Sequence, residues 1–127
     1  MKSHTLRRLS LLLALGWACF IYYLSSQPGQ NVPPLFFGQD KLFHFIAFGI
    51  LGFFSMGAAK ADTQGYRHVQ MLLTIVLVTL YGVLDEFHQY FVPGRVADHY
   101  DVMADMVGAI FGVWALHYLL TKRHNKI

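Results

Sequence analysis

The chain has 127 residues, of which 55% are hydrophobic and only 13% charged, with a formal net charge of +3. Soluble domains carry charge on about a quarter of their residues, so this composition excludes an ordinary water-soluble globule and bounds the chain to one domain, residues 1–127. The basic residues form no stripe beside aromatic stackers, which argues against a nucleic-acid partner, and a single cysteine, Cys19, excludes an internal disulfide.

Four apolar runs follow one another, at residues 9–24, 42–59, 69–91 and 102–120. Each is close to the ~20 residues that a helix needs to cross the hydrocarbon core of a bilayer. The expected fold is therefore an all-α integral membrane bundle of four transmembrane helices. The first run follows Lys2, Arg7 and Arg8. It reads as a retained span, since no A-x-A-like cleavage site succeeds it. Tyr22 and Tyr23 close it as interfacial anchors. Cys19 within it reads as a buried packing cysteine. The link over residues 25–39 holds Pro28, Pro33 and Pro34 and no charge, and its Leu35-Phe36-Phe37 reads as dipping into the interface. The second run leads into a short link, residues 60–66, containing Gly65. The third ends at Val92-Pro93-Gly94-Arg95, with proline and glycine at the central positions that a type II turn requires. That tight turn makes spans three and four antiparallel neighbours.

Orientation follows from the basic residues. Lys2, Arg7, Arg8, Lys60, Arg67, Lys122, Arg123 and Lys126 are eight of the ten Lys and Arg, and four spans put them all on one side. Positive charge marks the cytoplasmic side, so both termini are expected inside. Lys41 and Arg95 lie on the outer side.

The acids follow the opposite pattern. Six of the seven, Asp40, Asp85, Glu86, Asp98, Asp101 and Asp105, belong to the outer end, and only Asp62 falls in an inner link. Asp85 lies about 9 Å of helix from Phe91, and Asp105 about 6 Å from Asp101, so the two stand at similar depth. Asp98, Asp101 and Asp105 recur at three and four and share one face, which continues through Gly108 and Gly112 as a small-xxx-small groove. Gly49 and Gly52 are candidates for the packing of span two. By the same spacing Asp85 pairs with His88 and Gln89, and Asp40 with His44. An ionised side chain at mid-bilayer costs about 2.5–3.5 kcal/mol on insertion scales. The acids must therefore face one another, basic groups, water or an ion inside the bundle. Six carboxylates against Lys41 and Arg95 leave a negative excess that a shared proton or a divalent cation would relieve. Read as structure alone, Lys41 and Arg95 simply neutralise the acids and lock the helices together.

These residues resemble the VanZ-like family. The resemblance is carried by Asp40-Lys41-x-x-His44, by Asp85-Glu86-x-x-Gln89 with Phe91-x-Pro93-Gly94-Arg95, and by Asp101-x-x-x-Asp105-x-x-Gly108-x-x-x-Gly112. Tyr23-Leu24-Ser25-Ser26-Gln27-Pro28 is similar to the same family's pattern. Where this chain has Asp105, the family usually has asparagine, so a further negative charge enters the cluster here. The resemblance implies a bacterial cytoplasmic membrane protein, and its name-giving member is associated with teicoplanin resistance. It implies no biochemical activity.

Three functions compete. The first is binding of an envelope small molecule or lipid headgroup, with carboxylates taking amines and Lys41 and Arg95 taking phosphate or carboxylate. The second is a metal-dependent hydrolase or transferase acting on a lipid-linked or envelope substrate, with His44 and Glu86 as general-base candidates. No H-E-x-x-H or G-x-S-x-G signature supports it. The third is proton transport, which four spans and acids clustered at one end disfavour. The functional cluster expected from sequence is Asp40, Lys41, His44, Asp85, Glu86, Gln89, Arg95, Asp101 and Asp105. Neither the metal nor the oligomeric state follows from sequence.

Overall fold

The computed structural model describes residues 2–29, 33–59 and 64–126. Four helices occupy nearly all of this: α1 (Lys2–Ser25), α2 (Gln39–Ala58), α3 (Arg67–Gln89) and α4 (His99–His124). A 3-10 turn at Gln64–Tyr66 leads into α3, and no strand occurs among the described residues. All four helices are long and apolar enough to cross a membrane. The helices extend beyond the apolar runs because polar residues continue them through the interface. At the acidic end this matters: α2 begins early enough to include Asp40, and α4 early enough to include Asp101, each in a first turn. A carboxylate there opposes the positive end of the helix dipole, while Lys122, Arg123 and His124 oppose the negative end of α4. Lys60 and Asp62, used in the orientation argument, lie outside the described residues.

The bundle buries small and polar groups with a few large apolar ones and turns most of its large apolar side chains outward. Leu12, Leu77, Leu84 and Phe111 are exposed, while Ala14, Ile21, Phe48, Leu51, Val78 and Ala109 form the core. In water such a surface would drive aggregation; in a bilayer the acyl chains cover it. Cys19 belongs to the outward surface, contrary to the packing role expected for it. Its position on α1 faces away from the core side carrying Ala14 and Ile21.

The most extensive packing is α4 on α2, not on α3, its neighbour in sequence. Glycine is the reason. A Cβ at Gly108 would collide with the Phe45 carbonyl, and one at Gly112 with the Gly49 carbonyl. A Cβ at Gly52 would come within 2.9 Å of the Ala109 carbonyl oxygen. With no hydrophobic drive between helices in lipid, such close backbone approach supplies the van der Waals contact that holds them. Two hydrogen bonds pin the middle of α1 to the bundle. Trp17 Nε1 donates to the Ala47 carbonyl at 2.8 Å, and the Tyr81 hydroxyl donates to the Ala18 carbonyl at 2.6 Å.

The α3–α4 connection is the expected tight turn. Arg95 N–H donates to the Val92 carbonyl at 3.2 Å, and Gly94 sits at φ 74°, where a side chain is disfavoured. Leu35, Phe36 and Phe37 are all exposed at this end of the bundle.

The packing makes a contrast that thermal unfolding in detergent can measure. Gly112→Ile should lower the melting midpoint strongly, since overpacking typically costs about 1–3 kcal/mol and here the obstacle is backbone. Gly16→Ile, where nothing lies within 4 Å of the added Cβ, should leave it unchanged or raise it.

Candidate functional site

The α2–α4 seam determines what happens at its acidic end. One turn before Phe48, His44 projects from α2 toward α4. Its Nδ1 meets Asp105 Oδ1 at 2.7 Å. Asp105 is fully buried, and the space for it comes from α3: a Cβ at Gly82 would stand 2.5 Å from Asp105 Oδ2. The other imidazole nitrogen, Nε2, faces Glu86 Oε1 at 3.6 Å and Asp101 Oδ2 at 3.7 Å. An ionised carboxylate can only accept a hydrogen bond, so beside an ionised Asp105 the Nδ1 carries the proton. Glu86, Asp101 and Asp85 are all buried. Asp85 offers an oxygen within 4.8 Å of ligand atoms on both His44 and Glu86.

A second layer closes the site toward the membrane surface. Lys41 Nζ donates to Asp40 Oδ2 at 3.0 Å, Asp98 Oδ2 at 3.1 Å and Asp101 Oδ1 at 3.2 Å. Asp101 thus joins the layers, one oxygen on Lys41 and the other toward His44. Asp98 joins them through its backbone, whose N–H donates to Glu86 Oε2 at 2.9 Å. Its side chain caps α4, accepting from Tyr100 N–H at 2.9 Å. That bond and the Lys41 ammonium hold the Asp98 carboxyl below the usual range. Gln89 Nε2 donates to Asp85 Oδ2 at 3.5 Å.

Most of the residues expected from sequence meet here, with three differences. Asp40 does not pair with His44; the first turn of α2 points it outward, with 59% of its side chain exposed, and it meets Lys41. His88 does not pair with Asp85; its Nε2 bonds Ser26 Oγ at 2.9 Å and its ring stacks on Tyr22. Arg95 makes no ion pair with the acids among the described residues. Its Nε donates to the Gln27 carbonyl at 2.9 Å and its terminal nitrogen to the Leu24 carbonyl at 2.8 Å. A cation at the carbonyl end of α1 satisfies acceptors that the helix leaves open. The Pro93 carbonyl, accepting from Gly29 N–H at 3.0 Å, fastens the same two segments. Sequence reading missed Gly82 and the linking role of Asp98. Gly82 was legible in part, since it precedes Asp85 by one helical step of three.

Lys41 and His44 are the only basic side chains ion-paired to these six acids among the described residues. The site therefore has chemistry for a proton, a metal ion or a cationic group. His44, Asp85 and Glu86 form one set of residues able to hold a metal, and Asp40, Asp98 and Asp101 a more exposed second set.

A four-helix polytopic membrane protein with a buried histidine–carboxylate site at one end is the class that fold and site define. The VanZ/LLP1 family model matches residues 10–121, and the chain belongs to that family. No curated protein and no solved structure matches it.

Two substitutions separate the layers. Asp105→Ala deprives the buried imidazole of its partner, and removing one member of a buried pair costs about 3–5 kcal/mol. Asp40→Asn alters an exposed pair worth about 0–1 kcal/mol. Thermal melts in detergent should show a large loss for the first and little for the second. The Asp98 cap adds an acid sensitivity. Because its folded pKa is depressed, its contribution is complete above the unfolded value of about 3.9 and is lost as pH falls through the folded value. The midpoint difference between wild type and Asp98→Asn should therefore be constant near neutrality and close below about pH 3.9.

Proposed function

We propose that the chain is a multi-pass protein of the bacterial cytoplasmic membrane, with both termini in the cytoplasm, that binds a cell-envelope molecule at its outward-facing polar site. The observation that carries this reading is the layered site itself. Buried carboxylates surround His44, and the partly exposed Lys41 and Asp40 stand over them at the surface. An ammonium beside a carboxylate suits a zwitterionic or phosphate-bearing headgroup: Lys41 takes the anionic part and Asp40 the amine. The distribution of charge supports the outward placement. Arg7, Arg8, Arg67, Lys122, Arg123 and Lys126 belong to the opposite end of the helices from Lys41 and Arg95. Glycopeptide resistance is one specific case of such an envelope role.

A second reading, a metal-dependent hydrolase or transferase on an envelope substrate, is favoured by one observation. His44, Asp85 and Glu86 each bring one ligand atom within 4.8 Å of the others. A metal there would supply Lewis-acid chemistry to an oxygen of the bound headgroup.

One experiment with two arms tests the first reading. In a Cys19→Ser background, Ala97→Cys should react with an impermeant maleimide in intact cells, and Asn125→Cys only after permeabilisation. Protein purified in mild detergent should carry a polar amphiphile, enriched over the bulk membrane by mass spectrometry, that Lys41→Gln no longer retains. Labelling of Asn125→Cys alone in intact cells, or identical lipid profiles for wild type and variant, would reject the proposal.

A further inference from the structure

The inner layer is more specific than a cluster of acids. Its distances fall in a narrow and unusual range. At 3.6 and 3.7 Å, the separations of His44 Nε2 from Glu86 Oε1 and Asp101 Oδ2 are too long for hydrogen bonds. They are close to the gap between two ligands of a single ion. With metal–nitrogen bonds of about 2.0–2.1 Å and metal–oxygen bonds of about 2.0–2.2 Å, tetrahedral ligand atoms stand about 3.4 Å apart.

The atoms that do not face this point are all occupied elsewhere. His44 Nδ1 is taken by Asp105; in the neutral ring with its proton on Nδ1, the Nε2 lone pair is directed inward. A carboxylate behind a metal-binding imidazole is the usual outer partner, setting both tautomer and ring orientation. Glu86 Oε2 is taken by the Asp98 N–H, while Oε1 is buried with no hydrogen-bond partner. Asp101 Oδ1 is taken by Lys41. Asp85 Oδ2 is taken by Gln89. His44, Asp85 and Glu86 thus each have one atom anchored and each bring a ligand atom within 4.8 Å of the other two, while the free oxygen of Asp101 stands 3.7 Å from His44 Nε2. Glu86 is more than nine-tenths buried, and its unsatisfied oxygen points at the imidazole. Such an oxygen in a low-dielectric interior is costly without a cation or proton beside it.

We propose that His44, Asp85 and Glu86 bind one divalent transition-metal ion, with Asp101 closing the shell from α4 and Asp105 as the positioning residue for His44. One imidazole among carboxylates selects Zn²⁺ or Mn²⁺ over Ca²⁺, which takes an all-oxygen shell of higher number. The ion offsets two of the buried negative charges and joins α2, α3 and α4 at one point. This deepens the envelope-binding reading: a headgroup reaching beneath Lys41 would meet the ion with a phosphate or carboxylate oxygen.

The test uses the full chain, purified in detergent with a histidine-free tag from metal-replete cells. Elemental analysis should find about one Zn²⁺ or Mn²⁺ per chain. After chelator treatment, calorimetric titration with each metal alone should restore one saturable site. Glu86→Gln keeps the acceptor for the Asp98 N–H and should bind at least 100-fold more weakly. Asp105→Asn should weaken binding about 10–100-fold, as outer partners do. His117→Gln, at the other end of α4, should bind as wild type does. His44→Gln should abolish binding; if that variant does not fold, Glu86→Gln and Asp101→Asn decide the matter. Substoichiometric metal with no saturable site, or full binding by Glu86→Gln and Asp101→Asn, overturns the proposal. Lipid retention by chelator-treated protein separates the two readings. Retention without a metal site refutes the metal and leaves envelope binding standing; a metal site without retention does the reverse.

Discussion

The contact of His44 with Asp105 exists because two helix backbones touch. Gly108 and Gly112 of α4 lie against the carbonyls of Phe45 and Gly49 on α2, with no side chain between them. At that spacing an imidazole on one helix spans directly to a carboxylate on the other. With ordinary side chains in the seam, interaxial distances of about 8–10 Å would hold the groups apart and admit acyl chains or water. The glycine face and the acidic face are one surface of α4, divided along its length. The deeper part supplies contact, and the outer part supplies chemistry. Gly82 repeats the device on α3, giving up a side chain so that Asp105 has somewhere to sit.

The second constraint is electrostatic. Lipid provides no counter-charge and little hydration, so each buried carboxylate must be answered from within the bundle. The answers are layered. Lys41 bridges three carboxylates at the surface, and His44 faces two more below together with Asp101, which both layers share. Asp98 belongs to both layers through two different groups, its backbone N–H to Glu86 and its side chain to Lys41. Moving the start of α4 would therefore disturb the inner site without touching an inner residue. Each inner side chain is held by a partner outside the centre: His44 by Asp105, Glu86 by the Asp98 N–H, and Asp101 by Lys41.

The loop ends of α1 and α3 obey a different logic. Arg95, His88, Ser26 and the Pro93 carbonyl tie the end of α1 to the α3–α4 turn with hydrogen bonds that involve none of the acids. This tie braces the frame around the site. Arg95 carries the charge expected of a partner for the acids, yet its planar guanidinium is held by two carbonyls at and just beyond the end of α1, those of Leu24 and Gln27.

The four spans, the membrane class and the gathering of the acids at one end of the helices are written locally in the sequence. Length and apolarity of a run decide whether it spans, and charge in the links is countable without knowing any contact. The type II turn at Pro93-Gly94 is local for the same reason, and so is the face shared by Asp101, Asp105, Gly108 and Gly112. What the tertiary structure decided was partnership. Periodicity shows that Asp105 faces another helix; it cannot show that the helix is α2 rather than the sequence neighbour α3, or that His44 is the residue met there. Pairing by spacing along one helix held for Asp85 with Gln89 but misassigned His88, whose partners Ser26 and Tyr22 belong to a different chain segment, and Asp40, which turns outward onto its neighbour Lys41. Sequence order carries no measure of the distance between segments, and the glycine-to-carbonyl contacts between helices set it.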